Sequence, residues 1–255
     1  MRAGASGRVW QDAVNSAAPS QRDPGRFRTR RGGASRAGIP QRSASRAPLE
    51  RGNGYRFGMA RAAWGSRGVV RTDRLVVRPM ALDDRREFVR LHAASESAFR
   101  SCQPARAPDE SWEAVFEFHH ASSLLGSVDG RRQSWVGERD DGRIVGIFSL
   151  FDIVRGALNA GVASWYVDVG LHRQGYGGEG VNALLDLAFA APPGGWGLHR
   201  VQANIRPENT ASLALAGRLG FRVEGLARRY LFIDGDWRDH LLCAKLAEEH
   251  RLRWL

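Results

Sequence analysis

The run Gly170-Leu171-His172-Arg173-Gln174-Gly175-Tyr176-Gly177-Gly178 limits what this chain can become more than any other stretch of it. Residues 162–169 before it are apolar and β-branched, as in a strand. Val181, Leu184, Leu185 and Ala188 after it recur with the spacing of one helix face. A strand must therefore pass through a glycine loop directly into a helix. Glycine tolerates positive φ and lets a ligand approach the backbone. The first turn of a helix offers unpaired N–H groups and a partial positive charge. Together they can cradle a pyrophosphate, although a glycine-rich turn by itself is also simply a turn. A nucleotide P-loop would need Gly-Lys-Ser/Thr here, and Gly177-Gly178-Glu179 does not provide it. The glycines resemble a dinucleotide fingerprint, but that motif follows the first strand of its domain. Here the loop comes late, after a meander.

The rest of the chain gives that loop its setting. Leu75-Val76-Val77 is a short strand closed by Pro79, and Phe88, Leu91 and Ala94 mark one face of a helix opened by Asp83-Asp84. Pro104 and Pro108 break the chain, and Trp112, Val115, Phe116 and His119 resume helical spacing. Strands follow at 134–138 and 144–151, around the hairpin signal Asp140-Asp141-Gly142. After the loop and its helix come a strand at 201–205 and a helix at 210–219, capped by Asn209 and closed by Gly220. Two last strands, at 221–226 and 238–245, flank the turn Asp234-Gly235-Asp236. The order is β-α-α-β-β-β-α-β-α-β-β, an α/β layer with a mixed sheet and no internal repeat.

Charge separates the chain into two parts. Residues 1–58 hold twelve Arg against Asp12, Asp23 and Glu50, a balance of +9 out of the chain's +11. The remainder is nearly neutral, so the basicity belongs to a tail and does not make the body a nucleic-acid binder. The tail is rich in Arg, Gly, Ser, Ala and Pro and lacks an apolar period, the composition of a disordered extension. It is composed like an organelle transit peptide and like an RNA-touching arm, and Met59 offers a second translation start. The expected organisation is this extension at 1–58, a linker at 59–70 and one domain at 71–255. Cys102 and Cys243 are too few and too far apart for a metal site or a disulfide framework, which fits a cytoplasmic protein. No apolar run approaches the ~20 residues of a membrane span.

His172-Arg173-Gln174-Gly175-Tyr176-Gly177 resembles the Gln/Arg-x-x-Gly-x-Gly/Ala motif of GNAT acetyltransferases, with His172 where Gln or Arg is usual. Further segments follow in order: His199-Arg200-Val201-Gln202-Ala203-Asn204, Pro207-Glu208-Asn209-Thr210-Ala211-Ser212, Arg218-Leu219-Gly220-Phe221, Glu224-Gly225 and Asp234-Gly235-Asp236-Trp237-Arg238-Asp239-His240. With Thr72-Asp73-Arg74-Leu75-Val76-Val77-Arg78 and Val154-Arg155-Gly156, they resemble ribosomal-protein-alanine N-acetyltransferases of the RimJ type over about residues 70–246. The resemblance implies a GNAT fold, a mixed and mostly antiparallel sheet flanked by helices. It implies acetyl-CoA as cosubstrate, no metal, and a protein N-terminus as acceptor, an alanine of a small-subunit ribosomal protein. The main chain of Val167 and Val169 is then expected to pair with the pantetheine arm beside a bulge that splays this strand from the next. Arg173, Gln174, Gly175, Tyr176, Gly177 and Gly178 are expected to hold the pyrophosphate, and Asn209 to contact the coenzyme.

Acetyl transfer needs an N–H for the developing oxyanion, a proton acceptor for the amine and a proton donor for the thiolate. The resemblance gives the first to the Val169 N–H and the last to Ser212. Family members often carry a Glu near Val162, and residues 159–168 contain none. Tyr166, Asp168, Asp239 and His240 are the candidate bases, His240 being equally a structural histidine. Trp165, Tyr230 and Trp237 suit slot walls. Cys102-Gln103-Pro104 replaces a usual Trp-x-Pro, on a loop expected to touch the acceptor. Two other functions remain open at this point. Asp109, Glu110, Glu113 and Glu117 would suit a polyamine or drug acceptor, because such a pocket must be acidic. The missing base would suit a non-catalytic coenzyme A-binding, ribosome-associated protein.

Overall fold

A computed structural model describes residues 68–104 and 109–251. The Arg-rich segment 1–58, residues 59–67 of the expected linker and Pro108 lie outside the described residues. The elements are β1 (Val70–Arg71), β2 (Val76–Pro79), α1 (Arg85–Phe99), α2 (Trp112–Asp129), β3 (Gln133–Glu138), β4 (Ile144–Val154), β5 (Ala160–Val167), α3 (Tyr176–Phe189), β6 (Arg200–Ile205), α4 (Thr210–Arg218), β7 (Arg222–Ile233), β8 (Asp236–Leu246) and α5 (Ala247–Arg251). Eight strands form one sheet in the order β1-β2-β3-β4-β5-β6-β8-β7. Every pair is antiparallel except β5–β6. The expected order of elements is thus met, with short β1 and α5 added at the ends.

The sheet carries a core on each face, because strand side chains alternate. Trp135, Val145, Phe148 and Val167 join α3 and α4 in the larger core. Val136, Ile144, Ile147 and Tyr166 face α1 and α2 with Phe88, Leu91 and Phe116. On α1 the buried stripe is Phe88, Leu91, His92 and Ser95, while Ala94 is exposed. The expected apolar face therefore turns by one position and brings two polar residues inward.

Turns and caps follow their local chemistry. Asn209 Oδ1 accepts from Ser212 N at 3.1 Å, satisfying one open donor of α4. Gly220 takes φ +84 at the helix end, where the buried Lys245 ammonium donates to Leu219 O. Asp234 and Gly235 both have positive φ, as a tight hairpin turn requires. The hairpin they close is longer than the expected 221–226 and 238–245. Its register shifts between Ala227 and Leu231, which hides strand alternation in the sequence.

One ring organises the larger core. A Cβ on Gly180 would stand 2.0 Å from Phe148 Cζ, one on Gly137 2.9 Å from its Cε2, and one on Gly146 3.1 Å from its Cζ. Three elements thus give up side chains so that one phenyl ring, fully buried, can sit among them. The ring has no room to retreat from a new methyl group. Gly180→Ala should cost about 1–3 kcal/mol by overpacking and lower Tm by several degrees in a thermal melt. Adding Phe148→Leu to that variant should recover part of the loss.

Candidate functional site

The site begins where two strands part. β5 and β6 pair only at Ala160–Arg200, Gly161–Val201 and Val162–Gln202. Residues 163–167 continue along β4 alone. Opposite the parting, β4 carries one extra residue between Phe151 and Val154, with Asp152 at φ +48. The splay expected here is present, and the bulge that accompanies it lies on β4, the neighbouring strand. Asp168 N donates to Val145 O at 2.9 Å. By the alternation of an antiparallel ladder, the N–H and C=O groups of Trp165 and Val167 then point away from β4, into the gap.

On the α3/α4 side, the gap meets the glycine loop. Gly175 at φ +90 is the N-cap of α3, and Arg173 also lies in the left-handed region at φ +62. Glu179 N bonds Gly175 O, and the N–H groups of Arg173 through Gly178 have no partner among the described residues. They form an outward cradle of donors at a helix N-terminus, which fits a diphosphate. Gly177 packs 3.5 Å from Val167 and Leu215, measured from an added Cβ. It seats α3 beside the gap.

The loop is locked from across the sheet. Glu179 accepts from Thr72 Oγ1 at 2.5 Å, from Arg74 N at 2.9 Å and from Arg74 Nε at 2.8 Å. Arg74 in turn donates to Gln174 O at 2.9 Å and lies 4.4 Å over the Tyr176 ring. Burial would raise the Glu179 carboxyl's pKa, but hydrogen bonds from Thr72 and Arg74 outweigh it and hold it below the ordinary value. His172 does not reach outward. Its Nε2 donates to Val167 O at 3.0 Å, tying the loop to the end of β5 and occupying that carbonyl.

On the opposite face, a cavity of about 450 Å³ opens between the end of α1, the loop after it, the start of α2 and Tyr166. Glu96, Arg100, Gln103, Pro104 and Trp112 line it with Tyr166. Tyr166 is held in a column of rings. Phe88 stacks on His92 at 3.9 Å, His92 on Tyr166 at 4.3 Å, and Tyr166 on Phe99 at 4.0 Å between centroids. Burial, then the charges of Glu96 and Asp168, push the Tyr166 phenol upward, so it stays neutral. Burial lowers the His92 pKa to about 4.

The other expected residues divide sharply. Ser212 Oγ accepts from Trp165 Nε1 at 3.2 Å across the gap. Val169 N donates to Ser95 Oγ at 3.2 Å. Asp168 is buried and bonded at 2.8 Å to both Arg90 and Arg143. Burial opposes its charge, but these guanidiniums and the Gly170 N–H hold its pKa below the usual range. Asp239 accepts from Arg229 N, and the buried His240 bonds Arg238 O, both on the hairpin. Burial lowers the His240 pKa. Sequence reasoning missed Glu96, Arg74 and Glu179. The spacing of 93, 96, 97 and 100 along one ridge of α1 was the only sequence signal for the cavity wall.

A sheet parted between two central strands, a donor-lined helix start on one face and a cavity on the other define an acyl-CoA-type transferase site. Residues 74–222 match the Acetyltransferase (GNAT) domain, and the chain belongs to that family of N-acetyltransferases. It is 31% identical over 185 residues to the [ribosomal protein uS5]-alanine N-acetyltransferase of Escherichia coli strain K12, covering 68% of this chain and 88% of that one. The structure of Mycobacterium smegmatis RimJ in complex with CoA-disulfide is 31% identical, with a TM-score of 0.62 over 69% of this chain and 83% of that one. A spermidine N-acetyltransferase from Vibrio cholerae, in complex with CoA and spermine, shares the fold at 19% identity and a TM-score of 0.58 over 71% and 99%.

Glu179 supplies a pH test of the loop clamp. A depressed folded pKa contributes stability above the unfolded value, about 4.3, and that stability is lost as pH falls through the folded value. The Tm advantage of the wild type over Glu179→Gln should be constant from neutrality to about pH 5 and shrink below it, read by thermal melts across pH 3–7.

Proposed function

We propose that the protein transfers the acetyl group of acetyl-CoA to the α-amino group of a protein N-terminus, an alanine of a small-subunit ribosomal protein. The observation that carries this reading is the charge of the acceptor-side cavity. Among the described residues its wall has one carboxylate, Glu96, and one guanidinium, Arg100. Asp109, Glu110, Glu113 and Glu117 are not part of that wall, and Glu117 is paired with Arg85. A site with no net charge does not concentrate a polycation. It suits a single ammonium followed by a neutral peptide. The named activity of the uS5-alanine N-acetyltransferase relative supports the same acceptor.

The fit of the coenzyme rests on the free amides at Arg173 to Gly178 and on the parted strands. In this reading those amides, with the Gln174 and Tyr176 segment held by Arg74, take the pyrophosphate. Asn209 flanks the same groove while capping α4. The Val167 N–H, open to the gap, pairs with the pantetheine arm. Acetyl-CoA supplies the activated acyl group. The Val169 N–H lies one residue beyond the end of β5 and serves the acyl oxygen by exchanging its Ser95 partner for it. Ser212 accepts from the Trp165 indole, which leaves its own O–H free to donate toward the sulfur. Tyr166 stays protonated and forms the neutral wall beside the amine.

Release of free thiol from acetyl-CoA by the full-length protein tests the acceptor. An Ala-initiated peptide should be turned over with kcat/KM at least ~10-fold above spermidine, a difference of about 1.4 kcal/mol in transition-state stabilisation. Preference for spermidine would favour the small-amine reading, and tight coenzyme binding without turnover of any amine would favour the non-catalytic one. Ser212→Ala should lower kcat by about 10² while leaving acetyl-CoA affinity by calorimetry within about twofold. Trp165→Phe, which removes only the orienting donor, should lose less.

A further inference from the structure

We infer that Glu96, on the last turn of α1, is the proton acceptor for the incoming amine. The inference rests on the acyl-transfer reading above. It fills the role for which the strand before the loop has no carboxylate.

The argument is geometric. The gap between β5 and β6 is reached from two faces. Trp165 and Val167 direct their side chains to the α3/α4 face, where they meet Ser212 and Gly177. Tyr166, between them, points to the α1/α2 face and into the cavity. An amine entering by the cavity therefore meets the gap beside Tyr166. The titratable groups on that wall are Glu96, Arg100 and Tyr166. A guanidinium cannot take a proton, and the Tyr166 phenol is already protonated. Behind Tyr166, His92 is closed between two rings with its Nδ1 on Phe88 O. Arg100 is drawn across the mouth toward Asp234, 3.9 Å away, at the hairpin turn. Asp168 is saturated by two guanidiniums and the Gly170 N–H. Glu96 is the carboxylate that both faces the cavity and acts electrostatically on Tyr166.

The step balances as follows. One proton of the substrate ammonium passes to the Glu96 carboxylate and on to solvent. The freed nitrogen lone pair forms the C–N bond to the acyl carbon, and the C–S bond breaks. The second nitrogen proton ends on the departing sulfur. An α-ammonium has a pKa of ~8, so without an acceptor only its neutral fraction reacts.

The test compares wild type, Glu96→Gln and Glu96→Asp on an Ala-initiated peptide from pH 6 to 9. Glu96 is exposed at the cavity wall, so both variants should melt as the wild type does and bind acetyl-CoA equally by calorimetry. Glu96→Gln should lose about 10²-fold in kcat at pH 7. Its rate should rise ~10-fold per pH unit until the peptide amine is neutral near ~8, more steeply than the wild type. Glu96→Asp should recover part of the loss. A Glu96→Gln profile parallel to the wild type, or a change confined to KM, would overturn the assignment and leave Glu96 as an anchor for the ammonium. If the wild type acetylates another amine instead of the peptide, the same comparison on that amine decides Glu96 while the acceptor reading fails. No turnover of any amine overturns both.

Discussion

Everything at this site depends on β5 leaving β6 after three residue pairs. A closed sheet would satisfy the backbone of Trp165 and Val167 with a neighbouring strand. The parted one leaves donors and acceptors that only a ligand or water can complete. Pairing on the other edge of β5 remains intact along β4, so the open edge is held straight. The extra residue at Asp152 in β4 and the parallel start of β6 together force the departure. The tertiary structure thus manufactures a half-finished ladder, and an extended amide-bearing arm is the chemistry that finishes it.

The glycines around this edge perform different tasks, which the motif alone runs together. Gly175 takes the left-handed conformation that turns the loop into α3. Gly177 brings the helix against β5 and α4. Gly180 belongs to the core, vacating space for Phe148. The cradle itself is backbone, and its rigidity comes from elsewhere: Arg74 and Glu179 join residues 105 apart in sequence into one clamp. With only 15% of its side chain exposed, Glu179 makes three bonds from one position at the helix start, where a negative charge is also favoured by the helix dipole. The loop is therefore preorganised before any phosphate arrives.

The fold was largely legible because periodicity is local. The helices announced themselves by spacing, the strands by β-branched runs, the caps by Asn209 and Gly220. The glycine loop was legible as a cradle for the same reason. What was not legible lies in long-range pairs and in polar residues turned inward. His92 and Ser95 carry no apolar signal, yet they face the core of α1 and hold Tyr166 and Val169. His172 stood where a phosphate contact is usual, and its bond to Val167 O depends on how the loop folds back. Glu96 is one of several exposed acids on a helix, and only the placement of Tyr166 opposite it singles it out. The long hairpin was shortened in the sequence reading because a register shift at Ala227–Leu231 breaks the alternation.

The site combines a rigid reacting end with a soft mouth. Tyr166 is fixed by stacked rings on both sides, and the start of the loop is fixed by Asp168 between two guanidiniums. Removing either partner of so buried an ion pair is costly. The mouth is joined by much less. The Arg100–Asp234 pair is 77% and 47% exposed, and pairs of that kind contribute about 0–1 kcal/mol. The hairpin beyond it presents Tyr230, Leu231, Phe232 and Trp237 to solvent, apolar surface that stabilises nothing within the described residues. Chemistry at the gap demands fixed distances, whereas acceptor choice is made where chain and hairpin meet. A fold that keeps the first stiff and the second loosely tied can change its amine without disturbing its acyl donor. The same architecture can therefore serve a peptide terminus in one protein and a polyamine in another.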